Sequence, residues 1–152
     1  MSVSVAAVPT AEEHTQAFTE VAFLLDIFAS TIDNIMGGAT SSVGRIAGRE
    51  MAKKLPIALV HPTPGEALAA AAESLKNGFD ISFTEEKDQA TITFGRCVIR
   101  NVCDSRQLQP GCTLCTLFHS YFDGIVNEIV SRPTKSALVE NGDQCRLCMK
   151  IQ

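Results

Sequence analysis

What this sequence lacks narrows its chemistry before any motif is read. No stretch gathers lysine and arginine into a patch, and the formal net charge is −4. A protein that neutralises phosphates needs the opposite balance, so nucleic acid is not an expected partner. No apolar run reaches the roughly eighteen residues that a membrane-crossing helix requires, so no membrane partner is expected either. Met1 to Thr10 has no basic residue and only a short apolar run. That is not a secretory signal, and it reads as a flexible tail. A Gly-x-Gly-x-x-Gly turn, a flavin motif and the Gly-Lys-Ser/Thr ending of a phosphate loop are all missing. Gly37 to Gly44 therefore reads as a helix connection. Cys115 is followed by Thr116, so the covalent haem motif Cys-x-x-Cys-His is absent as well.

Acid–base candidates are thin. Glu128 and Glu140 have no partner in the sequence pattern, and solvated carboxylates are the default reading for both. His14 and His61 stand alone. With no catalytic constellation in view, the sequence leans away from an enzyme.

What is present describes a globular chain. Hydrophobic residues make up 45% and charged residues 20% of 152 positions, enough apolar content for a buried core. We expect one domain over 11–152. Six cysteines without an export signal suggest a reducing compartment, so a cytoplasmic location is expected.

Val21, Leu24, Leu25, Phe28, Ile32 and Ile35 recur at helical spacing and predict a helix over about 11–36. It is long, and part of its apolar stripe is available to a second copy, so a homodimer is expected. Gly37-Gly38 ends it, and a second helix runs to about Leu55. On that helix Gly44 and Gly48 share a face and permit close backbone approach. Pro64 suits the first turn of a third helix through Asn77.

Phe79, Ile81 and Phe83 alternate with polar residues as a strand. Ile92, Phe94, Val98 and Val102 alternate as a second strand, bent at Gly95. Arg96 and Arg100 would then share its face with Ile92 and Phe94, where snorkelling at the sheet edge is the default and contact with an acidic ligand the alternative. A helix starts near Cys112 and runs to Val130. Lys135–Val139 and Cys145–Ile151 form a hairpin around Asn141-Gly142-Asp143. The fold class is α+β: three N-terminal helices, an antiparallel strand pair, a helix and a C-terminal β-hairpin around one sheet.

The cysteines are the strongest signal. Cys112-Thr113-Leu114-Cys115 and Cys145-Arg146-Leu147-Cys148 are two Cys-x-x-Cys pairs thirty residues apart, a common way to gather four thiolates on one metal. Cys112 and Cys115 share a face at a helix N-terminus, where the dipole favours thiolate. Cys145 and Cys148 would point to opposite sides of a straight strand, because their separation is odd. Cys103 is the obvious substitute for Cys148, and His119, one turn after Cys115, is a further reserve ligand. Free cysteine is also a common buried hydrophobe, so plain core residues are the other reading of Cys97 and Cys148. Zinc is the expected metal and an iron–sulfur cluster the alternative.

The C-terminal third also carries a family signature. Cys115 on a first helical turn, Gly124 nine residues on, and Gly142-Asp143-Gln144-Cys145-Arg146-Leu147 in the hairpin resemble the 4-vinyl reductase domain family. These are small-molecule-binding domains related in fold to vesicle-tethering subunits and to aromatic-sensing regulators. The resemblance implies zinc ligands that include Cys115 and Cys145. The family's further Glu and Cys before the hairpin turn are absent from Thr134 to Leu138, which leaves Cys112 and Cys148 to take their place. It further implies an apolar pocket between helices and sheet for a small hydrophobic or tetrapyrrole-like molecule. The leading functional expectation is a ligand-binding domain of the sensor or carrier type. Thiol or iron–sulfur redox chemistry, or an accessory role in tetrapyrrole metabolism, are the alternatives.

Overall fold

The computed structural model describes residues 7–152. The tail expected over Met1–Thr10 falls mostly outside that range, but Thr10 is seen at work. Its hydroxyl accepts from the backbone of Glu13, and the Glu13 carboxylate accepts from the Thr10 N–H at 2.7 Å. This capping box opens α1 (Ala11–Met36), which stops at Gly37 with φ +38°. α2 (Thr40–Ala52) follows directly. α3 (Pro64–Leu75) begins with a second capping box, Thr63 with Glu66, and a proline whose missing N–H costs nothing there.

The sheet has four antiparallel strands in the order β1-β2-β4-β3, namely β1 (Phe79–Glu86), β2 (Gln89–Cys97), β3 (Thr134–Asn141) and β4 (Cys145–Ile151). Two hairpins lie side by side, with β2 and β4 at the centre. Period-two alternation decides what each strand buries. Ala90, Ile92 and Phe94 of β2 and Cys145, Leu147, Met149 and Ile151 of β4 face inward, while Arg146 and Lys150 face out. α5 (Thr113–Val130) lies on the inner face and contributes Phe118, Phe122, Ile125 and Val126. Phe79 stacks on Phe118 with centroids 4.4 Å apart, and Phe94 meets Phe118 and Phe122 edge-on.

α2 crosses the other side of α5 at backbone distance. A Cβ at Gly44 or Gly48 would collide with the carbonyls of Leu117 and Tyr121, and one at Gly124 with that of Arg45. The glycines are there so that the two helices can touch.

One expected element is different. Val98 to Ser105 does not continue the second strand but folds as α4. Val98 and Val102, like Ile99 and Cys103, are four apart, a spacing that satisfies both a strand face and a helix face. Cys97 is the last extended residue and the N-cap of α4. Arg100 therefore leaves the sheet face it was expected to share with Phe94.

A second apolar cluster forms where α1, α4 and α5 meet: Ala22, Ala29, Val102, Cys103, Leu114 and Cys115. The outward side of α1 stays open, with Val21, Leu24 and Phe28 about half exposed and Ile35 more so. Among the described residues no helix is long and apolar enough to cross a membrane.

Candidate functional site

The second cluster is where the cysteines converge. Cys103 sits on the last turns of α4, Cys112 is the N-cap of α5, and Cys115 lies on its first turn. Their sulfurs stand 3.6 Å (Cys103–Cys112), 3.8 Å (Cys103–Cys115) and 4.0 Å (Cys112–Cys115) apart. The connection between α4 and α5 turns back tightly to allow this. Leu108 N–H donates to Cys103 O at 2.8 Å, and Gln107 and Gly111 take positive φ.

Those separations test the metal directly. Zinc–thiolate bonds of about 2.3 Å in a tetrahedron place neighbouring sulfurs about 3.8 Å apart. The trio has that edge length already, so a single ion needs little rearrangement. A cubane cluster seats each cysteine on its own iron, which spreads the sulfurs more widely and normally uses four of them. The three thiols can hold one metal ion.

Without a metal Cys103 and Cys115 stay protonated. Burial pushes the Cys103 thiol well above the usual range, and the neighbouring Cys115 pushes it further. Burial raises Cys115 too, partly offset by the N–H of Gly111. A metal must therefore displace protons on binding, and its affinity falls as the solution becomes more acid.

The sequence expectation of Cys112, Cys115, Cys145 and Cys148 is thus only half assembled. Cys112 and Cys115 come together, and the third member is the reserve residue Cys103. Cys145 lies outside the trio, with its sulfur 2.9 Å from Nη2 of Arg100. Arg100 also donates to the Gly142 and Asp143 carbonyls. It holds the β3–β4 turn against α4 instead of waiting for an acidic ligand. Cys148 alternates to the outer face of β4, where its sulfur is 3.7 Å from Gln89 Oε1. Arg96 donates to the Lys76 carbonyl. Glu128 pairs with Arg49 and Glu140 with Arg146, so neither is a free base.

His119 is half-buried beside Phe94 and Phe118. Burial depresses its pKa to about 4, which keeps the ring neutral at physiological pH. It stands between two spaces. One is a small apolar chamber lined by Cys97, Ile99, Phe118, Cys145 and the inner edge of the thiol cluster. Its volume is about 10 Å³, the scale of one water molecule. The pocket expected between helices and sheet is therefore almost filled, because the phenylalanines of β1, β2 and α5 close it. The other space is an open cleft of about 1010 Å³ between α2, α5 and β3, and most of the residues that line it are polar.

No family model matches the chain, and no curated protein matches it in sequence. Among solved structures it is similar to the phenol-responsive sensory domain of the transcription activator PoxR, crystallised with phenol. The TM-score is 0.57 at 10% identity, covering 88% of this chain and 74% of that one. At such identity the likeness is one of fold. The chain shares the fold of that sensory domain, and no match supports the 4-vinyl reductase family itself.

Proposed function

We propose that this chain is a small-molecule-binding domain of the sensor or carrier type, braced by one zinc ion on Cys103, Cys112 and Cys115. The observation that carries the reading is the thiol trio, set at the edge length of a zinc tetrahedron at the junction of α1, α4 and α5. A water completes the four ligands zinc usually takes. The iron–sulfur alternative is disfavoured by the short sulfur separations. Buried, protonated thiols are poor nucleophiles, which weighs against direct thiol redox chemistry. Reduced thiols suit a cytoplasmic setting.

The PoxR sensory domain takes phenol, and a small apolar molecule of that size is the ligand we assign to the chamber between α4, α5 and the sheet. At about 10 Å³ the chamber must widen to admit it, and α4 forms one of its walls. Because α4 carries Cys103, ligand entry and the grip on the metal are linked. A tetrapyrrole would need far more room, so that expectation is set aside. The outward apolar side of α1 suits a second copy of the chain, giving a homodimer.

Titrating phenol into zinc-loaded protein while following Ile99 methyl and Phe118 ring signals by NMR tests the ligand. Saturable shifts at both positions are expected. A well-folded, zinc-loaded protein whose Ile99 and Phe118 signals ignore phenol would sink the chamber as the binding site.

A further inference from the structure

The polar cleft on the opposite side of His119 contains two groups that the fold leaves unfinished. Asp123 is 2% exposed, and half of its carboxylate is used. Oδ2 accepts from the Ser136 N–H at 2.9 Å, and the residue's own carbonyl accepts from Thr134 Oγ1 at 2.7 Å. These bonds fix β3 to α5. Oδ1 is buried and has no partner among the described residues. Across the cleft, Nε of Arg45 is also buried and unpartnered. Burial raises the Asp123 carboxyl above its usual range, with the Ser136 hydrogen bonds and the nearby Arg45 acting against it, yet Arg45 and Asp123 make no ion pair.

A buried donor or acceptor left unmade costs about 1–3 kcal/mol, more when charged, and native proteins seldom leave two such groups on residues that line one cavity. Two of the neighbouring charges are already matched, because Arg49 pairs with Glu128 at 3.1 Å. What remains are two cations without an ion pair, Arg45 and the exposed Lys135, and one acid, Asp123, around a cleft of about 1010 Å³. A ligand that satisfies both buried groups must bring an acceptor to Arg45 and a donor to Asp123. A carboxylate and an ammonium do this with charge assistance at both ends. Hydroxyls at Ser41, Ser42, Ser120 and Thr116 line the same cleft and suit a short polar side chain.

We propose that this cleft binds a small zwitterion of the α-amino acid type, its carboxylate on Arg45 and its ammonium on Asp123. The site is separate from the thiol centre and the apolar chamber, and it stands whether or not a metal or phenol binds there. Glycine contacts between α2 and α5 hold the two walls at fixed spacing, so the cleft is preorganised.

The test is NMR of the full chain, reading the Arg45 Nε–H signal and the Ser136 amide, with L-serine and L-glutamine as probes. Lactate, which lacks the ammonium, and ethanolamine, which lacks the carboxylate, are the comparison compounds. Saturable shifts of both signals with either amino acid, at least about tenfold weaker with lactate and ethanolamine, are expected from the loss of one charged hydrogen bond. Asp123→Asn, which keeps an oxygen for Ser136, and Arg45→Met, which keeps the apolar stem, should each weaken binding to a similar degree with zinc content unchanged. If neither amino acid moves either signal in wild-type protein, the two groups are bridged by water only and the proposal is wrong. Lactate binding as tightly as serine would overturn the ammonium contact with Asp123. Retained affinity in Arg45→Met would overturn the carboxylate contact.

Discussion

Two of the packed sides of helix α5, toward the sheet and toward α1 and α4, are built from different materials. Toward the sheet it buries Phe118, Phe122, Ile125 and Val126 against Ile92, Phe94, Leu147 and Met149. Toward α1 and α4 it buries Leu114 and Cys115 against Ala22, Ala29, Val102 and Cys103. At roughly 25 cal/mol per Å² of apolar surface, the first set can close a core unaided. The second is smaller, with Val102 and Leu114 among alanines and thiols, and Phe18, Leu25 and Leu117 only partly buried at its edge. It brings three sulfurs within 4.0 Å of one another at its centre. One side is closed by shape and area. On the proposed reading a metal on those sulfurs closes the other side, so the order of α4 and α1 would depend on something outside the chain.

The largest effect should come from the sheet side and be indifferent to metal. Phe122 is fully buried, and Phe122→Ala is expected to cost about 3–5 kcal/mol through lost transfer energy and a cavity. Urea denaturation with and without a chelator should give the same loss. A loss that doubled under chelation would mean the two sides are one cooperative unit.

Chelation of the unmutated protein should act on the thiol side alone. Amide exchange in α4 and at Ala22 and Ala29 should accelerate about tenfold or more, as expected when a bound metal no longer opposes local opening. Exchange in β2 and β4 should stay as it was. Uniform acceleration across the sheet would erase the distinction between the two sides.

A smaller, pH-dependent effect belongs to His119, which borders both cavities. Its folded pKa is depressed by burial to about 4 from the ordinary 6.5. The unfolded chain therefore binds a proton that the folded chain refuses. Its contribution is fully present above pH 6.5 and drains away as the pH falls toward 4. In metal-free protein, His119→Gln should flatten the stability profile across that window. An unchanged profile would place a counter-charge near the ring that the structure does not contain.

The sequence made the sheet side easy to read and the thiol side hard, for a physical reason. Ile92 and Phe94, and the Phe118, Phe122, Ile125 and Val126 set, belong to long elements whose periods of two and 3.6 are unambiguous. The Gly44, Gly48 face was readable because only close helix contact asks for it. α4 is eight residues long, and its apolar positions repeat at a spacing that both periods allow. Reading it as strand placed Cys103 at the end of a sheet element, a reserve beside the more regular Cys145-x-x-Cys148 pair. Once Val98–Ser105 is a helix, Cys103 turns inward to Cys112 and Cys115. The strand alternation that cast doubt on Cys148 does carry it to the outer face of β4. Nothing in local spacing marked Asp123 or Arg45, because their significance lies in bonds that the folded chain does not make.

The most direct test of the account is zinc stoichiometry across six single Cys→Ser variants, each purified anaerobically and checked for folding. Cys103→Ser, Cys112→Ser and Cys115→Ser should each lose most of the bound zinc. Cys97→Ser, Cys145→Ser and Cys148→Ser should retain it near one equivalent. Zinc retained by Cys103→Ser and lost by Cys145→Ser would put the metal in the hairpin and contradict a centre built where α4 meets α5.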